Sequence, residues 1–235
     1  MRLQALRVLL LALAATPVLA VPPPAQAANE CAGLQVCIPV AGPWVVVPTA
    51  SGPRRPTVEY QLTCPRGHVV GGLDAELSHR AIDVAFLGRL GSPVNPGIST
   101  SRSVVFVASY VGTGARAPTF RPFVGCVPAT GAGRVPTAVG QLPPGQPTAR
   151  RVRTVRVRPG TATVVQACRR AERLVGASHA FGFLRERPPS ASLVGTVSGS
   201  RAVSGDRVVV TVRGDAELGG VRALVQVHAL CARVR

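Results

Sequence analysis

The chain has 235 residues and no lysine. All 27 of its basic residues are arginine, set against only ten acids, for a formal charge of +17. Two accounts compete for the arginine excess. Arginine suits bidentate contacts to phosphate or carboxylate, and a GC-rich genome replaces lysine codons with arginine codons. The abundance of Ala, Gly, Pro and Val favours the codon account. Acids are absent altogether between Asp83 and Glu172, where twelve arginines fall. Such a surface is expected to adhere to polyanions in a salt-dependent way. No C-x2-C pair occurs, which argues against a zinc site or a thioredoxin-type redox centre. No G-x-S-x-G elbow, H-E-x2-H helix or P-loop occurs either. No cofactor is implied.

The start of the chain reads as a secretory signal. Arg2 and Arg7 precede the apolar run Val8 to Ala20, which is too short to span a bilayer comfortably as a helix. Small-residue cleavage sites end at Ala20 and Ala27, and the intervening VPPPAQA favours Ala27. Loss of Arg2 and Arg7 lowers the charge from +17 to +15. No later apolar run reaches spanning length, so the expectation is a secreted protein with no transmembrane anchor after cleavage.

The rest of the chain is rich in Val, Thr, Gly and Pro and poor in long helical stripes. Short apolar segments such as WVVVP, TVEYQLTC, RSVVFVASYV and RVVVTVRG alternate with turn signals. This predicts an all-β fold of the sandwich or barrel kind. The segment 73–90 lacks Gly and Pro until Gly88, but Ile82, Val84 and Phe86 alternate, so it is read as two strands. The stretch 129–150, dense in Pro and Gly, reads as a linker. The expected organisation is a signal peptide at 1–27, an N-terminal segment at 28–53 with a short disulfide loop, a β domain at 54–128, the linker, and a second β domain at 151–235.

The two β domains look like copies. Cys64 lies 62 residues before Cys126, and Cys168 lies 63 before Cys231. With the extra residue placed early, Gly71 falls on Gly176, Ala75 on Ala180 and Arg80 on Arg185. RSVVFV at 102–107 then falls on RVVVTV at 207–212. Six cysteines in an oxidising compartment imply disulfides, with 15 possible pairings. If each copy closes its own bridge, the pairs are Cys64–Cys126 and Cys168–Cys231, and Cys31 and Cys37 are left to each other. Two tandem sandwich-like domains, each closed by a disulfide, are therefore expected. Near Cys64, Pro65 and Gly67 should turn the chain, and Gly71–Gly72 should permit a bulge or close backbone packing.

Three stretches carry chemistry worth weighing. HVVGGLDAELSH offers His68, Asp74, Glu76 and His79; on a strand Asp74 and Glu76 share a face, and paired carboxylates can act as acid and base. That makes a secreted hydrolase using Asp74, Glu76 and His79 one alternative. ARRVRTVRVRPG is the densest basic segment, with Val155 and Val157 able to face a core while Arg156 and Arg158 face out. Arg151, Arg153, Arg156 and Arg158 are candidates for binding anionic polymers such as teichoic acid, acidic polysaccharide or extracellular nucleic acid at the cell envelope. The segment lacks interleaved aromatics, so single-strand base stacking is disfavoured and no specific nucleic acid is expected. RGD at 213–215 is expected in a turn.

TCPRGHVVGG, preceded by a Thr/Val strand and closed by VGCVP, resembles a repeat of uncharacterised secreted proteins from high-GC Gram-positive bacteria. The resemblance rests on Cys64, Pro65, Gly67, Gly71, Gly72 and Cys126. The second copy keeps Cys168, Gly176 and Cys231 but loses the C-P-x-G turn. It implies a secreted, disulfide-closed β-domain and brings no activity. The leading expectation is a secreted, non-enzymatic binding or structural protein of the cell envelope.

Overall fold

A computed structural model describes residues 29–49, 55–88, 102–114, 116–129 and 148–233. The expected signal peptide and most of the expected linker lie outside the described residues. The fold is all-β, with thirteen strands among the described residues. The first seven are β1 (Ile38–Ala41), β2 (Trp44–Val46), β3 (Thr57–Thr63), β4 (His68–Leu77), β5 (Ile82–Leu87), β6 (Ser103–Tyr110) and β7 (Thr119–Pro128). The remainder are β8 (Thr148–Val157), β9 (Gly160–Ala167), β10 (Glu172–Leu184), β11 (Val197–Ser204), β12 (Arg207–Gly214) and β13 (Arg222–Arg233). A short helix α1 (Ala191–Gly195), capped by the Ser190 hydroxyl, precedes β11. The segment 73–90 does divide into two strands, at β4 and β5.

The strands form two layers at each end of the molecule. At one end, β1 and β4 flank β7, facing the antiparallel sheet β3–β6–β5. At the other, β8 and β10 flank β13, facing β9–β12–β11. The strand order is the same in both halves. Period-2 alternation sorts side chains between core and solvent: Val208, Val210 and Val212 are buried, while Arg207, Thr211 and Arg213 on the same strand are exposed. Each buried valine contributes about 1.5–3 kcal/mol. One core gathers Val58, Tyr60, Phe106, Phe120 and Val124; the other gathers Val164, Phe183, Val210, Val225 and Val227.

Three disulfides are present: Cys31–Cys37, Cys64–Cys126 and Cys168–Cys231. Each long bridge ties the end of one sheet's outer strand (β3 or β9) to the central strand of the facing sheet (β7 or β13), so it staples the layers together. In the chain-entropy picture each such loop contributes about 4 kcal/mol.

The halves are not beads on a string. β2 pairs with β7 through Val45 and Phe120, and with β10 through Val45 and Gly182, so one seven-stranded sheet runs through both. Trp44 and Val45 are almost wholly buried at that junction. The described part of the N-terminal segment therefore contributes to the sheet: β1 and β2 both line one edge of β7. β8 also starts at Thr148, inside the stretch read as linker, because its first residues ladder onto β13.

The strand registers correct the alignment of the halves. Val70 opposes Cys126 across a bulge at Gly71, and Leu174 opposes Cys231 across a bulge at Val175. Gly72 thus corresponds to Gly176, and Asp74 to Ser178, an offset of 104. The same offset holds on β6 and β12, where Phe106 opposes Tyr60 and Val210 opposes Val164. The extra residue falls late, between β6 and β7. The alignment of RSVVFV on RVVVTV is out by one, which would have exchanged core and solvent faces. Gly67 turns the chain at φ +79°, and its counterpart Ala171 holds the same left-handed conformation at +64°. The turn persists in the second half although the C-P-x-G signal does not.

Candidate functional site

Asp74 and Glu76 do share the outer face of β4, opposite Phe123 and Arg121. They do not meet His79. The two carboxylate oxygens of Asp74 accept from the backbone N–H groups of Asn29 (2.6 Å) and Ala75 (2.7 Å). Glu76 lies 3.9 Å from Arg121, whose guanidinium sits over the Phe123 ring. His79 is beyond the strand, accepting from Ala81 N–H and packing edge-on against Tyr110. His68 faces the Arg66 carbonyl. One grouping of three ligand-type side chains stands within 4.8 Å among the described residues: Cys168, Glu172 and Cys231, with both sulfurs in a disulfide.

The four candidate arginines are divided by the pleat of β8. Arg151 and Arg153 oppose Ala229 and Val227 on the inner face, while Arg156 opposes Leu224 on the outer face. Val155 and Val157 pack on the second core as expected. Arg151 is engaged by Glu172 at 2.9 and 2.5 Å. That bond, with the Arg169 N–H, holds the Glu172 carboxyl at about 2. Arg153 donates to the Val165 carbonyl. Arg158 follows the strand and is exposed. RGD is not a free turn: Arg213 and Gly214 end β12, paired with Ser198 and Val197.

The polar side chains that do converge lie between the halves. The outer face of β13 carries Gln226 and His228, both buried although they alternate with the core residues Val225 and Val227. β3 of the first half covers them. Gln226 binds the backbone of Gln61 twice, accepting from its N–H at 2.6 Å and donating to its carbonyl at 3.1 Å. It also donates to Thr154 on β8. Glu59, two residues before Gln61, forms an ion pair with Arg150 and accepts from Ser178 on β10 at 2.7 Å. The Arg150 side chain is 5% exposed.

This network sets the tautomer of His228. Arg150 has only donors, so its 3.1 Å contact makes His228 Nδ1 an acceptor. Nε2 then carries the hydrogen and donates to Gln226 Oε1 at 2.8 Å. Burial, reinforced by the Arg150 charge, draws the His228 pKa down to about 4 against the pull of Glu59. For Glu59, burial pushes upward, but hydrogen bonds from Arg150 and Ser178 outweigh it and hold the carboxyl below its usual range. Serine, histidine and glutamate are adjacent here, yet Ser178 donates to the carboxylate and both imidazole nitrogens are occupied. A serine nucleophile needs the imidazole as its base. The arrangement clasps the halves and leaves a cavity of about 290 Å³ beside it, lined by Thr57, Glu59, Arg150, Ser178, Arg201 and His228 among others.

None of Glu59, Arg150, Ser178, Gln226 or His228 stood out in the sequence as a site. The available signal was the alternation V-Q-V-H-A at 225–229, which reads as a solvent face. No described helix is long and apolar enough to cross a membrane. No protein-family model matches the chain, and no curated protein matches its sequence.

Proposed function

We propose that the chain is a secreted, non-enzymatic binding or structural protein of the cell envelope, built from two copies of one β-sandwich. One observation carries the reading: the acid–base side chains that approach each other are spent on holding the fold. Glu59, Arg150 and His228 clasp the halves, and Asp74 anchors the N-terminal segment. Three disulfides and the signal-like start favour an oxidising destination. Shared strand order and matched long disulfides support the duplication, and the C-P-x-G resemblance, confined to the first half, supports secretion. The charge favours retention by anionic polymers, through scattered arginines rather than one patch.

The test is expression of the full chain in a high-GC Gram-positive host, with fractionation and N-terminal sequencing. The expected product begins at Ala28 and sits in the wall or medium, released from the wall by salt. An intact N-terminus in the cytoplasm overturns the reading. Isolated walls incubated with the protein test the hydrolase alternative: turnover abolished in a folded D74N/E76Q variant would replace this proposal with an enzyme.

A further inference from the structure

We infer that the cleft between the halves, over Gly176 and Ser178, is a binding site for a small carboxylate held by Arg201. The charges on the cavity wall set the class of ligand. Glu59 is neutralised by Arg150, and the buried His228 stays neutral because its Nδ1 accepts from Arg150, where a proton would otherwise sit. Arg201, exposed on β11, forms no salt bridge among the described residues and leaves one net positive charge facing the cavity. A guanidinium fork matches a carboxylate through two parallel hydrogen bonds. Arg150 Nε is buried without a partner, a donor left over for the same ligand. Ser178 has given its hydrogen to Glu59 and presents lone pairs, which suit a ligand hydroxyl or N–H.

The first half shows what the same surface can seat. Gly72, Asp74, Phe123 and Gly125 stand at the register positions of Gly176, Ser178, His228 and Leu230. There the Asn29 N–H donates to Asp74, and a Cβ on Gly72 or Gly125 would overlap the Glu30 carbonyl oxygen. A polar segment of the chain's own N-terminus thus lies against that face. In the second half the corresponding residues floor the cavity. Its 290 Å³ sits at the small end of ligand pockets. A neighbouring cavity of about 410 Å³ shares Thr57, Ser178 and Arg201 and adds Val58 and Phe181, giving room for the rest of the ligand.

A uronic acid sugar and an acidic peptide side chain both carry the required carboxylate. Calorimetric titration of the full chain with glucuronate, N-acetylglutamate, glucose and inorganic phosphate separates them. One of the carboxylates is expected to bind at millimolar concentration or below, with glucose and phosphate inert; the tighter carboxylate names the source. Arg201→Gln should weaken it by about tenfold or more with an unchanged unfolding midpoint, while Arg156→Gln leaves it intact. Failure of both carboxylates at about 10 mM, equal binding by R201Q, or equal binding of phosphate overturns the inference. The inference rests on the binding reading above, yet wall retention without carboxylate binding would overturn the cleft alone.

Discussion

The clasp between the halves makes the protein acid-labile in a window set by His228. Its imidazole titrates near 6.5 in an unfolded chain and at about 4 in the fold. The folded state therefore takes up its proton later than the unfolded state does. Stability is full above about pH 6.5 and declines as the pH falls toward 4, because the unfolded state binds more protons. The difference in pKa corresponds to a loss of about 3 kcal/mol once both states are protonated. Glu59 acts in the same direction: its lowered pKa lends stability that disappears as acid protonates the carboxylate. Urea unfolding with disulfides intact, repeated from about pH 7.5 to about pH 4, reads the effect directly. His228→Gln carries a packing penalty at every pH, so the slope is the readout rather than the absolute stability. The variant should lose about 3 kcal/mol less than the parent across the window. An identical slope in parent and variant would show that His228 is not the titrating group and refute the derivation.

Glu59→Gln removes the carboxylate from Arg150, whose side chain is 5% exposed, and should destabilise by about 3 kcal/mol in thermal unfolding. Ala171→Gly relieves the left-handed backbone at φ +64° and should stabilise by about 0.5–1 kcal/mol, whereas Gly67→Ala should cost a similar amount; chemical denaturation of both variants checks the pair. Gly72→Ala places a methyl group on the Glu30 carbonyl oxygen, so the Cys31–Cys37 loop must lift; raised proteolysis or hydrogen exchange around 30–37 is the expected sign. At Gly176 the same methyl would meet Leu230 Cβ at 3.3 Å, and the change should cost less than about 1.5 kcal/mol. Removing Cys64 and Cys126 together should lower stability by about 4 kcal/mol, measured against the intact protein under non-reducing conditions.

Local chemistry made much of this molecule readable in advance. Valines two apart announced β6 and β12, and cysteine spacing announced the long bridges. Gly67 announced a turn, because a positive φ is easiest for glycine. The limits of that reading were equally physical. Ala171 adopts the same turn with no glycine to signal it, since tertiary contacts can impose a conformation that local preference opposes. Both halves contain R-x-V-V-x-V, but a one-residue slip preserves the valines' appearance and exchanges their faces. Only the ladder between strands settles that register.

The site divides along the same line. Asp74, Glu76 and His79 are close in sequence, and their side chains go to three different partners. Glu59, Arg150, Ser178 and His228 are scattered across both halves of the chain and meet in one clasp. By itself, the order of residues determined which atoms alternate along each strand, the glycine turn at Gly67 and which cysteines pair within each half. Whether the outward face of β13 would meet water or another strand was decided only by the tertiary fold, in which β2 links the halves through one sheet and β3 lies against Gln226 and His228. Alternation is a local property of the backbone, and a second layer of burial is a property of what packs upon it.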